Sequence, residues 1–113
     1  MTTQKLSQRE WKPFFDSLSK VLGAKEIEIE VFGLTIGDQL QAEWVRMIGL
    51  TYDEKDDLLE VALEGLDHLI AKPREIYVDD GGVGLATITV VDSEGQRQML
   101  KLRDPIALSA PAS

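Results

Sequence analysis

From Lys25 to Arg103 one pattern recurs, and it decides the kind of fold available. Apolar and polar residues alternate with a period of two. Ile27, Ile29 and Val31 are interleaved with Glu26, Glu28 and Glu30, and Leu40, Ala42 and Trp44 with Gln39, Gln41 and Glu43. The same alternation marks Leu59, Val61 and Leu63, then Ile76 and Val78, then Ile88 and Val90, and finally Leu100 and Leu102 between Lys101 and Arg103. A period of two places one set of side chains on each face of a strand, so each run is a strand with one buried face. The phase slips once, at Trp44–Arg46, where Val45, Met47, Arg46 and Ile48 no longer sort by face. A β-bulge is expected there.

Ahead of these strands lies a helical stripe: Trp11, Phe14, Phe15, Leu18, Val21 and Leu22, opposite Lys12, Asp16, Ser19 and Lys20. Ser7 and Glu10 have the spacing of a capping box, and Leu6 is placed to staple against Trp11. Pro13 leaves two starts open. With Ser7 as the cap it lies deep enough to kink the helix; with a start near Lys12 it occupies a favoured first-turn position. Gly23 is read as the stop.

The segments between strands carry turn chemistry. Asp53–Asp57 reads as a polar hairpin loop, Asp79–Gly84 supplies glycines for positive φ, and Asp92–Gly95 suits a type I turn followed by a glycine bulge. Gly65–Pro73 reads differently. Leu66, Leu69 and Ile70 have one-turn helical spacing, so a short helical turn is expected there, capped by Asp67 and stopped by Pro73. Short turns favour antiparallel pairing. The expected fold is α+β: an N-terminal amphipathic helix followed by a strongly curled, mostly antiparallel sheet of about six or seven short strands. One helix cannot cover so many strands. The sheet must curl on itself, as a barrel or sandwich, or hide a face against a second subunit. Residues 1–106 are read as one domain and 107–113, rich in Ala, Ser and Pro, as a flexible tail.

Composition narrows the function classes. The chain has 113 residues, no cysteine and a net charge of −8. Disulfides, thiolate metal sites and a cysteine nucleophile are excluded. The acidic balance opposes docking on nucleic acid or on anionic lipid. The only basic outer face, Arg97, Lys101 and Arg103, is expected to pair with acidic neighbouring strands. The opening residues form no secretory signal, and no apolar run is long enough for a membrane-spanning helix, so a cytoplasmic protein is expected.

No sequence motif for hydrolase, phosphate-loop or dinucleotide chemistry is present. No catalytic residue, metal ligand or cofactor is therefore assigned. His68 is the single histidine, and in its bland reading it hydrogen-bonds locally. In its functional reading it joins Asp67, Arg74, Tyr77 and Asp79 at the rim of a pocket for a small molecule or anion. Trp44 at the phase slip, with Leu66 and Leu69, forms a candidate interface.

Three segments resemble a small bacterial family classed as a domain of unknown function: Glu10-Trp11 with Pro13-Phe14-Phe15-Asp16, Gly37-Asp38-Gln39 with Ala42-Glu43-Trp44, and the whole of Leu59–Asp79. The resemblance runs from about residue 7 to about residue 103 and implies a stand-alone bacterial protein of this length. It brings no activity or site residue with it. Two functional expectations follow from the residues themselves. The first is a non-enzymatic protein-interaction domain, with a homodimer among its forms. The second is a small-molecule or anion binder, or a weak enzyme, working near Gly65–Asp79.

Overall fold

A computed structural model describes residues 2–21, 25–33, 37–80 and 84–106. A first strand, β1 (Thr2–Leu6), precedes helix α1 (Gln8–Val21). Then come β2 (Glu26–Gly33), β3 (Gly37–Asp53), β4 (Leu58–Leu63), β5 (Leu66–Ala71), β6 (Pro73–Asp80), β7 (Leu85–Asp92) and β8 (Arg97–Ile106). The eight strands form one open antiparallel sheet in the order β1-β6-β7-β8-β2-β3-β4-β5. The α+β class and the curled antiparallel sheet match the sequence reading, with two amendments. The helix is preceded by a strand, which a five-residue polar segment, TTQKL, gives no alternation to reveal. The strand count rises to eight because β1 is added and because Leu66–Ala71, within Gly65–Pro73, is a strand.

That correction has a local cause. Leu63 pairs with Leu66 across a two-residue turn of Glu64 and Gly65, and Gly65 takes φ +80°. Glycine there makes a tight hairpin. Pairing then continues through Val61↔His68 and Leu59↔Ile70. The leucine spacing that suggested a helical turn is the product of one inward residue, Ile70, and of Leu66 and Leu69, which stay about half exposed. Asp67 consequently caps nothing.

Strand β3 does most to shape the sheet. Ile27 pairs with Val45 and Ile29 with Ala42, so Glu28 alone opposes Glu43 and Trp44, and Trp44 takes φ +50°. This is the bulge expected from the phase slip. Two further irregularities sit at Gln41, against β2, and at Ile48, against β4. Each adds twist and bend. The strand therefore begins beside β2 and ends beside β4. It also turns Leu40 and Ile48 outward, against the alternation expected for Leu40; they are 51% and 65% exposed.

Helix α1 starts where the Ser7 cap puts it. The Ser7 backbone N–H donates to Glu10 Oε1 at 2.9 Å, and the Glu10 N–H donates to the Ser7 carbonyl at 2.9 Å. The Ser7 N–H holds the Glu10 carboxyl below its ordinary range. Pro13 lies within the helix on its exposed side, where the ring meets solvent; the lost N–H removes one helical bond to Arg9. Trp11, Phe15 and Leu18 are buried, whereas Val21 is 51% exposed. Leu22 and Gly23 lie outside the described residues.

Ser19, read as part of the polar face, instead docks the helix. Its hydroxyl donates to the Leu50 carbonyl at 2.6 Å and accepts from the Leu50 N–H at 3.0 Å. Leu50 faces Val61 of β4 in the register, and its own backbone groups point to the side where β2 no longer runs. One serine thus satisfies a stretch of sheet edge that the bend of β3 leaves open. Beside it Trp11 packs edge-on against Tyr52, with ring centroids 5.2 Å apart. The core fills the inside of the curl, with Ile27, Ile29, Met47, Leu50, Leu59, Ile70, Ile76, Ile88 and Leu100 fully buried around Phe15 and Leu18.

Candidate functional site

Inside the mouth of the curl lies a chain of three polar side chains. His68 Nε2 is 2.6 Å from Gln98 Oε1, and Gln98 Nε2 donates to Asp92 Oδ2 at 3.1 Å. The other carboxylate oxygen of Asp92 accepts from the N–H groups of Glu94 at 3.0 Å and Gln96 at 2.9 Å. Asp92 and Gln98 are both buried, and the β7–β8 turn explains why. Gly95, at φ +81°, closes it by donating to the Asp92 carbonyl, as the type I turn with a glycine bulge requires.

The chain also fixes a proton. A carboxylate only accepts, so the Gln98 amide must turn its NH₂ to Asp92 and its oxygen to His68. An amide oxygen also only accepts, so His68 Nε2 carries hydrogen. Nδ1 makes no hydrogen bond with a described residue. Among the described residues Gln98 stands between the carboxylate and the imidazole, and no serine, threonine or second acid bonds to the ring. The arrangement orients His68.

The same bond measures the curl. In strand order β5 lies four positions from β8. In a flat sheet that is about 19 Å, at ~4.8 Å per strand. A 2.6 Å side-chain contact across it requires the sheet to roll until the β3–β5 arm faces β7 and β8.

The sequence-derived candidates do not gather around this point. Tyr77 and Asp79 lie on the opposite, outer face of the sheet. They share an open groove of about 320 Å³ with Thr3, Glu75, Thr89 and Arg97, and Asp79 accepts from Thr3 Oγ1 at 3.3 Å. Arg74 is exposed on β6, and Asp67 is exposed on β5. His68 faces inward instead. Trp44 is half-buried, with the Arg103 guanidinium 5.6 Å from its ring centroid. This cation–π contact occupies one face of the indole. Gln98 and Asp92 were not singled out from sequence. Their signal was present: extending the Leu102–Leu100 phase by two gives Gln98, and extending the Ile88–Val90 phase by two gives Asp92. A polar residue on an inward phase is the mark of a buried network.

A second cleft, of about 440 Å³, lies between the helix and the β3–β4 hairpin, lined by Lys12, Tyr52, Glu54 and Lys55 among others. There Tyr52 donates to Asp57 Oδ1 at 2.8 Å. Burial, helped by that carboxylate, pushes the phenol up to about 12. The Asp53 carboxylate accepts from the Lys55 and Asp56 N–H groups, so the loop is held by its own aspartates. Among the described residues no group of three His, Asp or Glu converges as a metal site, and no helix is long and apolar enough to cross a membrane.

The remaining feature is the edge of β5. Among the described residues every backbone ladder partner of this strand is on β4. The two-residue hairpin makes Leu63–Leu66, Val61–His68 and Leu59–Ile70 the hydrogen-bonded pairs. By alternation the N–H and C=O groups of Asp67, Leu69 and Ala71 point away from β4. All three residues are exposed. Leu66 and Leu69 add apolar surface, being 52% and 51% exposed.

Comparison with known proteins places this fold in a family without adding an activity. An uncharacterized protein of Aquifex aeolicus (strain VF5) is 43% identical over 109 residues, spanning 96% of this chain and 98% of that protein. No solved structure matches the chain. The family model spans residues 2–111, beyond the segment 7–103 that carries the resemblance in sequence. The chain belongs to the family of unknown function DUF5335.

Proposed function

We propose that this is a non-enzymatic protein-interaction domain, acting in the cytoplasm, whose docking element is the open edge of β5. The observation that carries the reading is that edge itself: three outward-facing backbone positions, Asp67, Leu69 and Ala71, beside two half-exposed leucines. A strand with unpaired N–H and C=O groups is a template for strand addition. The opposite edge, β1, is less suited. It is short and polar, and its Lys5 is engaged with Glu75 at 3.1 Å. His68 supports the reading as a latch, because its bond to Gln98 fixes β5 against the body of the fold.

The edge also supplies its own blocking mutation. The Leu69 N–H points outward, so Leu69→Pro removes a donor from the edge while leaving the β4 ladder paired. Tagged wild-type protein and tagged Leu69→Pro are recovered from cells that also make the untagged chain. The reading expects at least one stoichiometric companion, the untagged chain included, that accompanies the wild type and is lost with the proline. Equal recovery with both proteins would sink it.

A further inference from the structure

We infer that the occupant of the β5 edge is a second copy of this chain, paired antiparallel with Leu69 opposite Leu69 on a twofold axis; this rests on the proposed role of that edge. The argument is one of register. Only Asp67, Leu69 and Ala71 offer outward backbone groups, so a symmetric pairing must match these three among themselves. Centring the axis on Leu69 places Asp67 opposite Ala71 and Ala71 opposite Asp67, using all three positions and forming about six backbone hydrogen bonds. Centring it on His68 leaves Ala71 unmatched. Centring it on Asp67 sets two carboxylates face to face, which opposes pairing. The register that satisfies most backbone is thus also the one without a like-charge pair, and it covers the exposed leucine of each copy with that of the other.

Salt separates a second copy from a basic partner in one measurable way. Each chain carries a net charge of −8, so two copies repel at long range, and salt screens that repulsion. Self-association must therefore tighten with added salt, whereas a basic partner would be released by it. The contact is small, and the dimer is expected between micromolar and millimolar concentration rather than below.

The chain has no cysteine, which makes the decisive test clean. In a hydrogen-bonded antiparallel pair the Cα atoms lie ~5.5 Å apart, within disulfide reach. Purified Leu69→Cys should form a disulfide dimer under mild oxidation, faster as concentration and salt rise. Asp67→Cys, whose counterpart lies four residues away along the paired strand, should not. Leu69 and Asp67 are both exposed, and unchanged melting temperatures would confirm that both variants fold. Sedimentation of the wild type should show a concentration-dependent dimer that Leu69→Pro abolishes. A strict monomer at millimolar concentration with no Leu69→Cys cross-link overturns the inference, and so does equal cross-linking of Asp67→Cys. Slow hydrogen exchange at Asp67, Leu69 and Ala71 that is independent of concentration overturns it too, by showing that the chain covers its own edge. If the purified protein stays monomeric while the cellular companion is still lost with Leu69→Pro, the second copy is excluded and the edge remains a docking site. If both fail, both readings fall.

Discussion

The β2–β8 ladder and the β3–β5 arm are built from similar strands and behave in opposite ways. Along β2 and β8 the alternation is unbroken. Ile27 faces Leu102 and Ile29 faces Leu100 inside, while outside Arg103 meets Glu26 at 3.0 Å and Lys101 lies between Glu28 and Glu30. Glu26, Glu28, Glu30, Lys101 and Arg103 on that outer face each have a partner of opposite charge. Along the arm the register shifts at Gln41, at Trp44 and at Ile48, large apolar side chains turn outward, and the outer edge of β5 has no ladder partner among the described residues. The difference teaches that regular pairing and an available surface are alternatives. The same backbone groups either complete a ladder or remain free for another chain.

The largest effect should separate the two regions at equal chemistry. Ile29→Ala removes a fully buried side chain from the ladder and should cost about 2–5 kcal/mol. Ile48→Ala removes the same atoms from the bulge, where the side chain is 65% exposed, and should stay within ~0.5 kcal/mol. Urea denaturation of both variants measures the contrast. Comparable losses would show that the outward turn at Ile48 does not describe the protein in solution.

Much of this contrast is written in the sequence, and the unwritten part has physical causes. The ladder was legible because both strands keep phase and their outer charges are opposite in sign, which led to the acidic–basic pairing now seen between β2 and β8. The bend of β3 was legible at Trp44, since a bulge breaks alternation. It was invisible at Gln41, where Leu40 and Ala42 on either side keep an apparent alternation across the extra residue. Strand β5 was misread because Leu66, Leu69 and Ile70 satisfy a helical spacing as well as a hairpin, and the choice is made by Gly65 and the register of β4. Gln98 and Asp92 were passed over because a polar residue on an inward phase looks like the end of a strand until its partners are known. Ser19 could not be found at all: its role depends on a backbone edge created by the bend of another element.

The next effect tests that serine. Ser19→Ala leaves the N–H and C=O of Leu50 without their partner in a part-buried setting and should cost about 1–3 kcal/mol. Threonine keeps a hydroxyl and should restore part of the loss. The parallel change on the mouth side, Gln98→Leu, strips His68 and Asp92 of their link. It should cost about 1–3 kcal/mol as well, and should speed hydrogen exchange along β5 more than along β2. Uniform exchange across both strands would deny the latch its local role.

Tyr52 offers a spectroscopic reading of the arm's packing. Its phenol, raised to about 12 by burial and by Asp57, should titrate well above the ordinary tyrosine range when followed by ultraviolet absorbance. Because the folded value lies above the unfolded value near 10, the neutral phenol contributes full stability below that pH. The contribution is lost as pH rises from the unfolded value through the folded one. Asp57→Asn removes the carboxylate's share and should move the titration down while leaving the part due to burial. No movement would mean that burial alone sets the shift.

The smallest effect belongs to the most regular part of the molecule. Lys101 is held by Glu30 and lies 3.8 Å from Glu28, with about a third of its side chain in water. Its hydrogen bond with Glu30 holds the Glu30 carboxyl below its usual range and the lysine above its own. A depressed carboxylate contributes above its unfolded pKa and loses that contribution as pH falls through the folded value, so Lys101→Met should lower the melting temperature near neutrality and not in acid. Solvent screening keeps the loss small, and high salt should erase it. The Ile29→Ala loss, which rests on burial, should survive the same salt. If Lys101→Met proved as costly as Ile29→Ala, or insensitive to salt, the outer charges would be holding β2 to β8 rather than selecting that pairing, and the ladder's regularity would owe more to its surface than to its core.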